Sequence, residues 1–130
     1  MKVNVNEDIL QLDKKFFNIN NLDFVLLNGK VRIYLSSGEV ETLAAGYTVE
    51  EIKEAYAKIA SKLPDFCENF VSVKGAVLNL ENIKSLQHGK QGTQIATHGF
   101  TLQLMNLSEE EVLLIKSKMK DIAETKQTAV

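Results

Sequence analysis

The chain has one cysteine (Cys67), one proline (Pro64), no tryptophan and only two histidines, His88 and His98. Each scarcity removes a class of explanation. A lone cysteine cannot close an internal disulfide, and one cysteine with two histidines falls short of the four ligands of a structural zinc site. Cys67 stands near an expected helix end beside Asp65 and Glu68, which disfavour a thiolate, so it reads as an inert thiol. No apolar run approaches the roughly 20 residues that cross a bilayer. The polar start Met1-Lys2-Val3-Asn4-Val5-Asn6 lacks the apolar core of a signal peptide. The expectation is a cytoplasmic chain with no membrane partner, no metal and no cofactor.

Catalytic motifs are equally scarce. No serine or cysteine nucleophile sits in a recognisable setting, and no His-Asp pairing is visible. Gly89-Lys90-Gln91-Gly92-Thr93 contains glycine but has neither the spacing nor the following helix of a phosphate loop. The carboxylates are spread over helices as solvated charges, with no acidic pair isolated among apolar residues. The chain is expected not to be an enzyme.

What the sequence does contain is a pattern written twice. Phe17-Asn18-Ile19-Asn20-Asn21-Leu22 and Leu78-Asn79-Leu80-Glu81-Asn82-Ile83 share the order apolar, Asn, apolar, polar, Asn, apolar. Each copy runs through an alternating stretch to a loop glycine, Gly38 or Gly99. Each then reaches a helix start of the same grammar, Tyr47-Thr48-Val49-Glu50-Glu51-Ile52 and Leu107-Ser108-Glu109-Glu110-Glu111-Val112. With 45% hydrophobic and 25% charged residues, the 130-residue chain can bury an ordinary core. The expected fold class is α+β, mainly antiparallel β, as two tandem strand-strand-strand-helix repeats. They would form a single domain, 1–123, with repeats at about 9–64 and 70–123 and a flexible tail at 124–130.

Within the first repeat, Ile9 to Leu12 and Phe16 to Leu27 have strand composition, and Asn28-Gly29 signals a two-residue hairpin turn. Val31, Ile33 and Leu35 alternate with polar neighbours, Ser36-Ser37-Gly38 turns the chain, and Glu39 to Leu43 completes a meander. Thr48 and Glu51 form a capping box, with Tyr47 stapled onto Ile52. Val49, Ile52, Tyr56, Ile59, Ala60 and Leu63 define the apolar stripe of a helix that Pro64 ends.

In the second repeat, Phe70 to Leu86 reads as strand with Gly75 as a bulge, and Gln87 to Gly92 as a polar hairpin loop. Thr93 to Ala96 and Phe100 to Leu104 read as strands around His98-Gly99. Ser108 and Glu111 repeat the capping box. Val112, Ile115, Met119 and Ile122 form the stripe, with Leu113 and Leu114 widening it.

The stretch Phe70-Val71-Ser72-Val73-Lys74-Gly75-Ala76-Val77-Leu78-Asn79-Leu80-Glu81-Asn82-Ile83 resembles the central motif of LytTR domains, bacterial DNA-binding modules. Phe70, Lys74, Val77, Leu78, Asn79 and Ile83 fit the motif without a gap, and the resemblance covers residues 16 to about 120. It implies LytTR-like elongated antiparallel sheets and transcription regulation through β-hairpin loops on double-stranded DNA. The chain departs from the motif where Val71 and Val73 replace Arg and His, and where Gly75 and Ala76 replace Ser and an aromatic. Ser108-Glu109-Glu110-Glu111 replaces the Ser-Arg that opens the last helix in the family.

Charge divides the functional expectation. A formal charge of −2 and a pI near 5.7 suit a polyanion partner poorly. The carriers of a DNA contact would be Lys30, Arg32, Lys74, Lys84, His88 and Lys90, in or beside the turns. The alternative is a non-catalytic interaction module with a protein partner or as a homodimer, of phage or plasmid type, that keeps the fold without the DNA contacts.

Overall fold

The computed structural model describes residues 2–43 and 46–128, with side chains described to residue 125. The chain opens with a short strand that its alternating Asn and Val had not announced, β1 (Val3–Val5). There follow β2 (Ile9–Leu12), β3 (Lys15–Asn18), β4 (Leu22–Leu27), β5 (Val31–Leu35), β6 (Val40–Leu43) and α1 (Val49–Phe66). The second half repeats that order from β2 onward: β7 (Phe70–Val73), β8 (Ala76–Asn79), β9 (Ile83–Gly89), β10 (Gly92–Thr97), β11 (Thr101–Leu104) and α2 (Glu109–Thr128). The fold is α+β and mostly antiparallel.

The two long strands expected at Phe16–Leu27 and Phe70–Leu86 are each interrupted by the Asn motif, which folds as a 3-10 turn, Ile19–Asn21 and Leu80–Asn82. Asn18 and Asn79 cap these turns, accepting from the amides of Asn20 and Glu81. An asparagine carbonyl that satisfies a backbone donor two residues on competes with the strand ladder. The chain therefore leaves one sheet and enters the next.

Among the described residues three sheets result, in the orders β1-β2-β3, β6-β5-β4-β8-β7 and β11-β10-β9. The five-stranded sheet joins the two halves, because β4 pairs antiparallel with β8 through Phe24↔Leu78, Val25↔Val77 and Leu26↔Ala76. Alternation along these strands feeds two cores. Val25, Val31, Ile33 and Val77 face Leu10, Leu12, Phe17 and the α1 residues Ile52, Ile59 and Leu63. Phe24, Ala76 and Leu78 face Ile95, Leu102, Leu104 and Ile115 of α2. Phe24, Tyr34 and Phe100 cluster in the second core, with ring centroids 4.4 to 6.0 Å apart.

The capping boxes form as read. Thr48 Oγ1 accepts from the Glu51 amide and Glu51 Oε1 from the Thr48 amide; Ser108 and Glu111 do the same. Several finer expectations need correction. The first hairpin loop has three residues, Asn28 to Lys30, since Leu27 pairs with Val31. Gly75 forms no bulge: with φ +79° it completes a two-residue turn with Lys74 between β7 and β8. The loop expected at Gln87–Gly92 shrinks to Lys90-Gln91, because Gly89 pairs with Gly92.

Pro64 does not end α1. It lies in the last turn, where it removes only its own amide bond, and the Cys67 amide still closes on the Leu63 carbonyl at 2.9 Å. Val49, at the first turn of α1, is exposed, as are Leu113 and Leu114, which lie off the buried Val112–Ile115 line of α2. Helix α2 continues to Thr128, into the stretch read as a flexible tail.

Candidate nucleic-acid interface

The strand pairing decides where the basic residues go. The Leu27 amide donates to the Gly75 carbonyl at 3.2 Å, which sets the Asn28–Lys30 loop beside the Lys74-Gly75 turn. Lys30 and Lys74 thus share one end of the five-stranded sheet. The start of α2 lies at that end too, since the Lys74 amide donates to Glu111 Oε2 at 2.9 Å. Strand β11, which feeds α2, ends opposite the start of β10 through Thr93↔Leu104. The Gln103 amide reaches the Gln91 carbonyl at 2.7 Å, so the Lys90-Gln91 turn sits on that side of the third sheet.

The start of α1 is anchored nearby. Leu43 ends β6 opposite Val31, and the following Tyr47 hydroxyl donates to the Asp13 carboxylate in the β2–β3 turn. That bond holds the Asp13 carboxyl below its usual range and the Tyr47 phenol above its own.

This end is electrically mixed. Lys30, Lys74 and Lys90 are exposed and make no ion pair among the described residues. Lys15 is committed to Glu41 at 2.5 Å. Against the lysines stand the acids of the two helix starts, Glu50, Glu51, Glu109, Glu110 and Glu111. Glu51 and Glu111 are held ionised by the amides they cap, Thr48 and Ser108, and the Lys74 amide adds to the second. Their charge offsets the positive ends of the helix dipoles.

The remaining sequence-derived candidates lie elsewhere. Arg32 is half-buried in mid-strand between Leu26 and Thr42. Lys84 is the residue skipped in the β9–β10 ladder, since Ile83 pairs with Thr97 and Ser85 with Ala96; it stands at the far end of β9 from Lys90. His88 Nδ1 lies 2.8 Å from Oγ1 of the buried Thr93. His98 belongs to the opposite end of the molecule, where the Gly99 and Gly38 turns touch.

Two further features stand out, the first legible in the sequence only in part: the repeated motif predicts a buried Asn79 with its amide on turn or strand-end backbone groups, as is found, but not the join it makes between the halves. The first is the junction of the halves. Asn79 Nδ2 donates to the Leu22 carbonyl at 2.8 Å, and Asn82 Nδ2 reaches the carbonyls of Asn20 and Leu22 and Oδ1 of Asp23. Asp23 is buried, and its Oδ2 meets no well-formed hydrogen bond among the described residues. Burial pushes its carboxyl up, opposed by Thr97, Asn82 and the neighbouring His98. The second is a row of outward glutamines on the third sheet, Gln87↔Gln94↔Gln103.

Among the described residues no group of three or more His, Cys, Asp or Glu side chains could hold a metal, and no helix is long and apolar enough to cross a membrane. Burial raises the Cys67 thiol, with further help from Glu7 and Asp8 rather than from its chain neighbours.

Among solved structures the chain is similar to a LytTr DNA-binding domain from Bacillus cereus, with a TM-score of 0.52 over 85% of this chain and 94% of that one. The fold is LytTR-like. Sequence identity is 11%, so the likeness concerns the path of the chain. No protein-family model matches, and no curated protein sequence is similar. The LytTR-like motif positions Phe70, Val77, Leu78, Asn79 and Ile83 are all buried, which ties their match to folding; Lys74 alone points to solvent at a turn.

Proposed function

We propose that the chain is a DNA-binding transcriptional regulator of LytTR-like type, holding double-stranded DNA through its β-hairpin turns. The observation that carries this reading is the fold it shares over most of its length with a DNA-binding domain. The Leu27–Gly75 bond supports it further by gathering the Lys30 and Lys74 turns at one end. In this reading Lys30, Lys74 and Lys90 hold phosphates, with Arg32, Lys84 and His88 in supporting positions.

The reading includes a tandem origin for the two halves. Asn18 and Asn79 cap equivalent turns, the Ile19 and Leu80 amides bond to Asp8 and Asn69, and the two ladders skip Asp23 and Lys84 at equivalent places.

A second reading is a non-catalytic interaction or dimerisation module of phage or plasmid type. The three carboxylates at the start of α2, directly beside Lys74, favour it, because they repel phosphate where a turn contact would need it. Titrating labelled bacterial promoter DNA at low salt with the wild type, Lys74→Glu and Lys90→Glu separates the two. DNA binding predicts micromolar or tighter affinity weakened on every duplex by either reversal, since phosphate contacts position the protein without reading bases. Absence of binding at micromolar protein gives the interaction module.

A further inference from the structure

The first meander, β4-β5-β6, and the second, β9-β10-β11, differ on one face. In the first that face carries Phe24, Leu26 and Tyr34, covered by the second half of the chain. In the second no described residue covers it, and the register aligns the exposed Gln87, Gln94 and Gln103 in one row, with Ser85, Ala96 and Thr101 in the next. The opposite face of the same strands holds Leu86, Ile95 and Leu102 in the core. Gln103 spends its amide on the Gln91 carbonyl and so fixes the Lys90 turn. The exposed amides of Gln87 and Gln94 make no hydrogen bond among the described residues.

The charge of this sheet is unlike that of the rest. From Lys84 to Ser108 there is no Asp or Glu; Lys84 and Lys90 are the only formal charges. They stand at the two ends of β9. An ordinary solubilising face would use charge freely, whereas this one offers neutral donor-acceptor groups between two cations.

The geometry points to this face as a second DNA contact that reads base edges in a major groove through Gln87 and Gln94. The inference rests on the DNA-binding reading above. The major groove, about 12 Å wide, admits a two-stranded β-ribbon; here β9 and β10, with axes about 4.8 Å apart, carry Gln87 and Gln94 side by side. A glutamine amide matches the paired acceptor and donor of adenine N7 and N6. Lys84 and Lys90 reach phosphates beyond the row, and no carboxylate of the sheet opposes them. The turn contacts position the chain, and this face selects the sequence.

The test starts from duplexes that the wild-type chain enriches out of a random pool. Affinities for an enriched and a scrambled duplex are then compared for Gln87→Ala, Gln94→Ala, the double variant and the near-isosteric Gln94→Glu, with folding checked by thermal melts. Each alanine is expected to lower affinity for the enriched duplex about 5- to 150-fold and to leave the scrambled duplex within about twofold. Gln94→Glu is expected to weaken both. A double variant that binds DNA with the wild-type preference overturns the inference while leaving the DNA-binding reading intact. A wild-type chain that binds no duplex overturns both.

Discussion

The side-chain amide of Asn79 donates to the carbonyl of Leu22 at 2.8 Å, across the seam between the two halves of the chain. Its carbonyl simultaneously accepts from the Glu81 amide. One buried side chain thus caps the turn that ends β8 and ties that turn to the start of β4. Asn18, the matching cap in the first half, is exposed and caps its own turn only. Asn79→Ala is expected to cost about 1 to 3 kcal/mol through unsatisfied buried groups, and Asn18→Ala about 0.5 kcal/mol as a surface change. Denaturant melts that rank the two in the opposite order contradict the seam.

Helix α2 provides a contrast between two neighbouring apolar residues. Ile115 is fully buried in the second core, whereas Leu113 is 64% exposed. Ile115→Ala is expected to lose about 2 to 5 kcal/mol, and Leu113→Ala no more than about 0.5 kcal/mol. Urea midpoints for the two variants check this directly.

The capping boxes were legible because a Ser or Thr followed three residues later by Glu specifies its own geometry locally. The Asn-centred turns were not. Their repeated motif was visible, yet the flanking Phe17, Leu22, Leu78 and Ile83 are all strand residues, so composition merged two strands into one. Leu113 and Leu114 went astray for a related reason. A run of four apolar residues, Val112 to Ile115, does not say which of them faces the sheet until the direction of the helix over the 3-10 turn Leu80–Asn82 is fixed. The glutamine row needed register: with Gln87 placed in a loop, nothing aligned it with Gln94 and Gln103.

The caps give a matched pair of outcomes. Thr48→Ala and Ser108→Ala each leave a helix start without its side-chain acceptor, at an expected cost of about 1 kcal/mol. Thermal or denaturant melts showing no loss in either variant would remove the capping argument for α1 and α2 together.

Asp23 makes stability depend on pH. Burial raises its carboxyl above the ordinary value of 3.8, so the folded chain holds the proton more tightly than the unfolded one. Its contribution therefore favours folding at low pH and is lost as pH rises through the folded value. Asp23→Asn removes this titration while keeping an acceptor for Asn82. The variant is expected to gain stability relative to wild type as pH rises from 4 to 7, read from urea melts at each pH. A difference between the two that stays constant over that range contradicts the assignment.

The salt dependence of DNA binding tests the central claim most directly. Lys30, Lys74 and Lys90, with help from Arg32 or Lys84, can neutralise about three to five phosphates, so log affinity should fall against log salt with a slope of roughly −3 to −4. The combined reversal of Lys30, Lys74 and Lys90 to Glu should abolish that binding while leaving the thermal melt of the chain within a few degrees of wild type. A slope near zero, or binding that survives the triple reversal, contradicts the account.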